Sequence, residues 1–335
     1  MPVATTPQAE FVIPTVDISP YLKNHDASTS EAQKIIEDIR KACTTSGFFQ
    51  LTGHGVPCEL QEQMFQAAKL FFDLPFEEKM KLDRRVAGGI SNRGYEVIGN
   101  QSLQDGTMTD LKEGFYIGQN VPADDPRSKA HPVLIGPNIW PSPELVPDHL
   151  FKEPTTLYRE KTLQLGFAVM DLIAKSLPYG DEVFGQCATE DPVATIRMLH
   201  YPPQKTTDVK QLGAGAHTDF GMITLLLQDS QSGLQVYNPA ADQWVDVPPV
   251  KEAYVVNVGD MLSMLTSGHY KSALHRVINH SGTHRYSCPL FLDGDVNFKL
   301  AALDGSTKPE DVITCEQHMI SRFNETYGRV AKAAA

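Results

Sequence analysis

From about residue 193 onward the chain becomes a succession of short apolar or alternating runs: ATIRMLHY, MITLLLQ, GLQVY, YVVNV, MLSML, ALHRVI and RYSCPLFL. Turn residues close off each run. Segments this short and this regularly interrupted bury themselves as strands of a sandwich or barrel, so the spacing constrains the fold more than any other feature. The first half reads differently. FVIPTVD (11–17) has the pattern of a strand, and Ser28 with Glu31 has capping-box spacing ahead of Ile35, Ile36, Ile39, Ala42 and Cys43 at helical intervals. FFQLTGHG then reads as strand and turn, a second helix follows Pro57, and PFEEKMKL reads as a third, short helix. GFYIG (114–118) stands out as a strand in a loop-rich stretch. Residues 155–177 carry the longest helical pattern, stopped by Pro178 and Gly180, and a last helix is expected near 316–327. The expected class is α+β, with a jelly-roll core, an N-terminal helical region and flanking helices. The expected organisation is an N-terminal helix and strand region (1–120), a loop-rich connection with a long support helix (121–192), a catalytic jelly roll (193–300) and a C-terminal helix and tail (301–335).

Charge and cysteine usage narrow the function. A formal net charge of −12 argues against a nucleic-acid partner, which needs a concentrated basic surface. Cys43, Cys58, Cys187, Cys288 and Cys315 are odd in number and form no CxxC pair, as expected of reduced thiols in the cytoplasm and not of a disulfide framework. MPVATTPQAEFVIP lacks the basic and apolar blocks of a signal peptide, and no apolar run approaches a membrane span. A small-molecule partner is expected, with neither nucleic acid nor membrane.

HTD at 217–219, followed by His275 inside ALHRVI, is the sharpest chemical signal. In a strand, residues i and i+2 share a face, so His217 and Asp219 can aim an imidazole and a carboxylate at one point. His275 from a distant strand completes a two-histidine, one-carboxylate face that suits iron(II) and leaves coordination positions open. His280 and His284 flank Ser281-Gly282 and read as solvated turn residues, while His269 follows a glycine in a loop. Ten residues beyond His275, Arg285 and Ser287 repeat the i, i+2 spacing. The arginine fork matches a carboxylate and the serine adds a donor, which suits a small diacid whose other end chelates the metal.

These segments resemble the isopenicillin N synthase-like branch of the 2-oxoglutarate/Fe(II)-dependent dioxygenases over nearly the whole chain. The resemblance is carried by FVIPTVDIS, SGFFQLTGHGV, FFDLPFEEK, KEGFYIG, GAHTDFGMITLLLQDSQSGLQV, VVNVGDML and SALHRVINHSGTHRYSCPLF. It implies a double-stranded β-helix core, iron ligands at His217, Asp219 and His275, and a clamp on 2-oxoglutarate from Arg285 and Ser287. Tyr201, in LHYPP, matches a tyrosine whose hydroxyl reaches the cosubstrate in relatives. Leu199 stands where many plant members have asparagine, a departure from the flavonoid and hormone enzymes that leaves the iron residues untouched.

The resemblance also implies the reaction: Fe(II), 2-oxoglutarate and O2 oxidise a small organic compound, expected to be a specialised metabolite, by hydrogen abstraction, with succinate and CO2 as coproducts. The outcome is hydroxylation, or desaturation, ring closure or rearrangement. Phe115 and Ile117 on the GFYIG strand, Phe291, Arg93 and Phe220 are the expected substrate contacts, and residues 119–150 are expected to fold over the cavity. The alternative is an isopenicillin N synthase-type iron oxidase that uses no 2-oxoglutarate, and beyond it an inactive small-molecule-binding relative.

Overall fold

A computed structural model describes residues 11–85, 91–187, 192–206, 208–279 and 281–333. In chain order the strands are β1 (Thr15–Asp17), β2 (Phe48–Thr52), β3 (Gly94–Glu96), β4 (Glu113–Ile117), β5 (Val193–Tyr201), β6 (Ala214–His217), β7 (Ile223–Gln228), β8 (Leu234–Asn238), β9 (Gln243–Asp246), β10 (Tyr254–Val258), β11 (His275–Val277) and β12 (Arg285–Gly294). The helices are α1 (Ser19–Leu22), α2 (Ser30–Thr45), α3 (Cys58–Phe72), α4 (Phe76–Met80), α5 (Pro126–Ala130), α6 (Lys152–Lys175), α7 (Asp260–Leu265) and α8 (Cys315–Ala333). Among the described residues the large sheet runs β1-β2-β10-β7-β12-β5-β4-β3 and the small sheet β6-β11-β8-β9. This is the jelly-roll core with flanking helices.

The large sheet is covered on both faces, and the period of two along each strand decides what goes where. Ile196 and Met198 of β5, Leu290 and Leu292 of β12, Leu225 of β7 and Val256 of β10 join one core with α2, α3 and α6. The alternate residues turn the other way. Leu199, Tyr201, Val255 and Phe48 pack with Ala214, Leu234, Val236 and Val277 of the small sheet. The helices thus back the sheet while the inter-sheet space is left for chemistry.

Four expectations change. MLSML is the helix α7, because Met261, Leu262 and Leu265 are buried at helical spacing and the Asp260 N–H is taken by the Asp219 carbonyl (2.8 Å). A Cβ on Gly259 would lie 2.1 Å from the Gly221 carbonyl oxygen, a backbone approach that a regular strand would not make here. The cap of α2 is Thr29, whose hydroxyl accepts from Ala32 N (3.2 Å), while Ser28 bonds Asp26 instead. His284 is exposed but not merely solvated: its Nδ1 lies 2.7 Å from Nε2 of buried His200, whose Nδ1 meets Glu113. His280 lies outside the described residues.

The fourth change is one of parity. Phe115 and Ile117 face the helices, not the inter-sheet space, since β4 pairs Phe115 with Met198 and Ile117 with Ile196. Phe115 is fully buried, its ring 4.4 Å from Phe71 and 5.4 Å from Phe151. Phe115→Ala is therefore expected to cost about 3–5 kcal/mol of stability, as buried aromatic truncations do. Urea unfolding checks this, and a loss below about 1 kcal/mol would contradict the packing.

Candidate active site

His217 is the last residue of β6 and His275 the first of β11, and the antiparallel pairing sets them directly opposite each other. Asp219 lies two residues past the end of β6, in the segment that leads from β6 to β7. Its Oδ1 is 3.7 Å from Nε2 of each histidine. One donor atom from each residue falls within 4.8 Å of the others, a group able to hold a single metal ion.

The surroundings fix which atoms face the centre. Nδ1 of His217 is 2.7 Å from the Gly215 carbonyl and Nδ1 of His275 is 3.1 Å from the Ala273 carbonyl. A carbonyl only accepts, so each Nδ1 carries the proton and each Nε2 presents its lone pair. Burial, reinforced by the neighbouring His275, holds His217 well below the usual imidazole range and keeps it neutral. Asp219 Oδ2 accepts from Thr224 Oγ1 (2.6 Å) and Asn257 Nδ2 (2.8 Å), leaving Oδ1 for the metal. Burial opposes its charge, while the hydrogen bonds from Thr224 and Asn257 favour the carboxylate and hold the carboxyl below its ordinary range. Asp260 braces the segment next to Asp219, accepting from Thr218 Oγ1 (3.2 Å) and Ser272 Oγ (2.7 Å).

Two cavities meet at His217 and Asp219. One, of about 550 Å³ with its mouth included, lies between the sheets and is lined by His275, Tyr201, Arg285, Ser287, Asn257 and Lys112. Arg285 is fully buried there. Its Nε donates to Gln231 O (3.2 Å) and its Nη2 to Gln228 Oε1 (2.9 Å), while Nη1 has no partner. The guanidinium stands 4.9 Å from the Tyr201 ring centroid, and Ser287 is buried on the same face of β12. A buried guanidinium with a free N–H and no carboxylate partner among the described residues is an anion site.

The second cavity, of about 680 Å³ with its mouth included, lies on the other side of the ligand pair. Arg93, Phe220 and Phe291 line it, as expected, whereas Tyr116 takes the place expected of Phe115 and Ile117. Leu134 is the contribution of 119–150, and Met319, Phe323 and Tyr327 of α8 supply a wall that sequence reasoning missed. Also missed were Thr195 and Arg197 of β5 and Asp293 of β12, all readable from the spacing of two that relates them to Tyr201 and Phe291. Arg197 and Arg84 share Glu96: although burial opposes its charge, Arg197, Arg84 and Lys112 hold that carboxyl down at about 2.

The family model described as 2OG-Fe(II) oxygenase superfamily matches residues 192–294, and that described as non-haem dioxygenase in morphine synthesis N-terminal matches 13–143. The chain is similar to the 2-oxoglutarate-dependent dioxygenase citB of Monascus ruber (46% identity over 338 residues, 99% of this chain and 100% of the relative). It is also similar to clavatol oxidase claD of Penicillium crustosum (42% over 343 residues, 98% and 99%). A full-length Neurospora crassa protein, solved in complex with alpha-KG and thymine, superimposes with a TM-score of 0.77 at 27% identity, covering 98% of this chain and 99% of that one. The chain belongs to the 2OG-Fe(II) oxygenase superfamily. It is a 2-oxoglutarate-dependent dioxygenase, an oxidoreductase that uses iron(II), 2-oxoglutarate and O2.

Proposed function

We propose that His217, Asp219 and His275 hold the iron, that Arg285, Ser287 and Tyr201 hold the far carboxylate of 2-oxoglutarate, and that the second cavity takes a small specialised metabolite. The observation that carries this assignment is the buried Arg285 with an unpartnered Nη1 in the cavity that shares His217 and Asp219 with its neighbour. A diacid anchored there lies in the cavity lined by all three metal-binding side chains, and a substrate reaches the same ligand pair from the other cavity. The donor set fits iron(II): two imidazoles and one carboxylate, with coordination positions left over.

The chemistry that bound iron(II) supplies is oxidation of the substrate by O2, coupled to decarboxylation of 2-oxoglutarate to succinate and CO2. The protein's own part is positional. The Gly215 and Ala273 carbonyls lock both imidazole tautomers, and Thr224 and Asn257 orient the carboxylate. The apolar walls from Phe220, Phe291, Phe323 and Met319 exclude water and present one bond of the substrate to the metal. How the cavity walls hold that bond would decide between hydroxylation, desaturation, ring closure and rearrangement.

Among the described residues no helix is long and apolar enough to cross a membrane. All five cysteines are unpaired and four are buried, which supports a reducing compartment such as the cytoplasm. The assignment is tested by adding iron(II) and 2-oxoglutarate to the metal-free protein without oxygen. A saturable visible charge-transfer band supports it, and iron binding with no band overturns the cosubstrate clamp.

A further inference from the structure

Arg93 is the one guanidinium on the wall of the second cavity that has no carboxylate near it among the described residues. The side chain is 3% exposed. Nη1 donates to Asn92 O (3.0 Å) and Nη2 to Leu134 O (3.0 Å), both neutral carbonyls, and Nε is buried with no partner. Its neighbour Arg197 is different, because its charge is met by Glu96. Burial, with the cationic Arg159 nearby, pushes Arg93 down to about 10, so it still carries its charge at neutral pH. Holding a buried, uncompensated cation costs stability unless an anion arrives to pair with it.

The backbone is shaped around this group. A Cβ on Gly118, at the end of β4, would lie 2.1 Å from Nη2 and 2.2 Å from Cζ of Arg93. Glycine is thus the residue that lets the guanidinium lie flat against the chain. The cavity also presents ring faces and edges from Tyr116, Phe220, Phe291, Phe323 and Tyr327, with Thr195, Arg197 and Asp293 among its polar groups. Ring walls beside a guanidinium that no described carboxylate meets suit a planar molecule bearing a negative oxygen.

We propose that Arg93, seated on Gly118, anchors the substrate through an anionic oxygen on a planar aromatic ring, either a carboxylate or a phenolate, and so decides which bond faces the metal. This rests on the reading of the site given above. The test uses the full chain loaded with iron(II) and 2-oxoglutarate under nitrogen, with binding followed by calorimetry. Two matched pairs serve as probes: 2-naphthoate against 2-naphthamide, and 2,4-dinitrophenolate against 2,4-dinitroanisole.

In the unsubstituted protein at least one anion is expected to bind roughly tenfold or more tightly than its neutral partner, the margin of one charge-assisted contact. The pair that discriminates tells carboxylate from phenolate. Arg93→Met is expected to abolish the preference. Gly118→Ala, which keeps the arginine but evicts it from its seat, is expected to do the same. The iron and 2-oxoglutarate absorption band serves as the control for a folded site in both variants. No preference in the unsubstituted protein, or a preference that survives Arg93→Met with the band intact, overturns the proposal. Failure of the band in the unsubstituted protein strikes the assignment of the metal and cosubstrate site instead.

Discussion

Replacing Arg285 with alanine is expected to raise the 2-oxoglutarate concentration needed for half-saturation on the order of a hundredfold or more, because the truncation strands a carboxylate in a buried site. The cause is visible in the surroundings. Arg285 has no ion-pair partner among the described residues, and two of its donor positions are used only by the neutral groups of Gln228 and Gln231. Those two contacts orient the fork and leave Nη1 for the ligand. Arg285→Lys keeps the charge but not the planar fork, so it should fall between the two, roughly tenfold weaker than arginine. Iron affinity measured without 2-oxoglutarate should hardly change, since Arg285 makes no hydrogen bond or ion pair with His217, Asp219 or His275. An unchanged 2-oxoglutarate requirement in Arg285→Ala would place the clamp elsewhere.

Asp219→Ala is expected to abolish both iron binding at micromolar metal and turnover. Asn257→Leu provides the scale: removing an outer partner of a metal-binding carboxylate costs about 10–100-fold in metal affinity. Asn257 gives Asp219 one of its two hydrogen bonds, so its loss should fall in that range, and the loss of the carboxylate itself should exceed it. Equilibrium iron binding followed by absorbance or calorimetry measures both variants. Far-ultraviolet circular dichroism separates site loss from unfolding, because the alanine variant should keep its strands. Retention of tight iron binding by a folded Asp219→Ala protein would contradict the metal assignment.

Much of this site is legible in the sequence alone, and the physical reasons differ by residue. Arg285 and Ser287 sit two apart on one long strand, so a local rule sufficed to put them on one face. The same spacing pointed to His217 and Asp219, which the structure groups with His275, although Asp219 itself lies past the end of β6. It could not assign Phe115 and Ile117, because every residue of β4 is buried and no polar alternation marks the inner side. Only the pairing of β4 with β5 tells that Tyr116 faces the cavity. MLSML failed for a related reason: a short apolar run carries no reliable period, and the backbone bonds of 259–261 to 219–222 set the start of the helix.

What the sequence by itself determined was the set of chemical groups and the class of fold: short strands that need a second sheet, two imidazoles with one carboxylate, and an arginine fork beside a serine. Local spacing and side-chain chemistry are enough for that, since they depend on neighbours within a few residues. What only the tertiary structure decided was convergence. The cross-strand register sets His275 opposite His217, the two sheets enclose Arg285 with its Nη1 unpartnered among the described residues, and α8 returns from the far end of the chain to wall the second cavity. Arg93 shows the difference most clearly. Its lack of a carboxylate partner among the described residues and its seat on Gly118 are properties of elements distant in sequence, and no pattern along the chain records them.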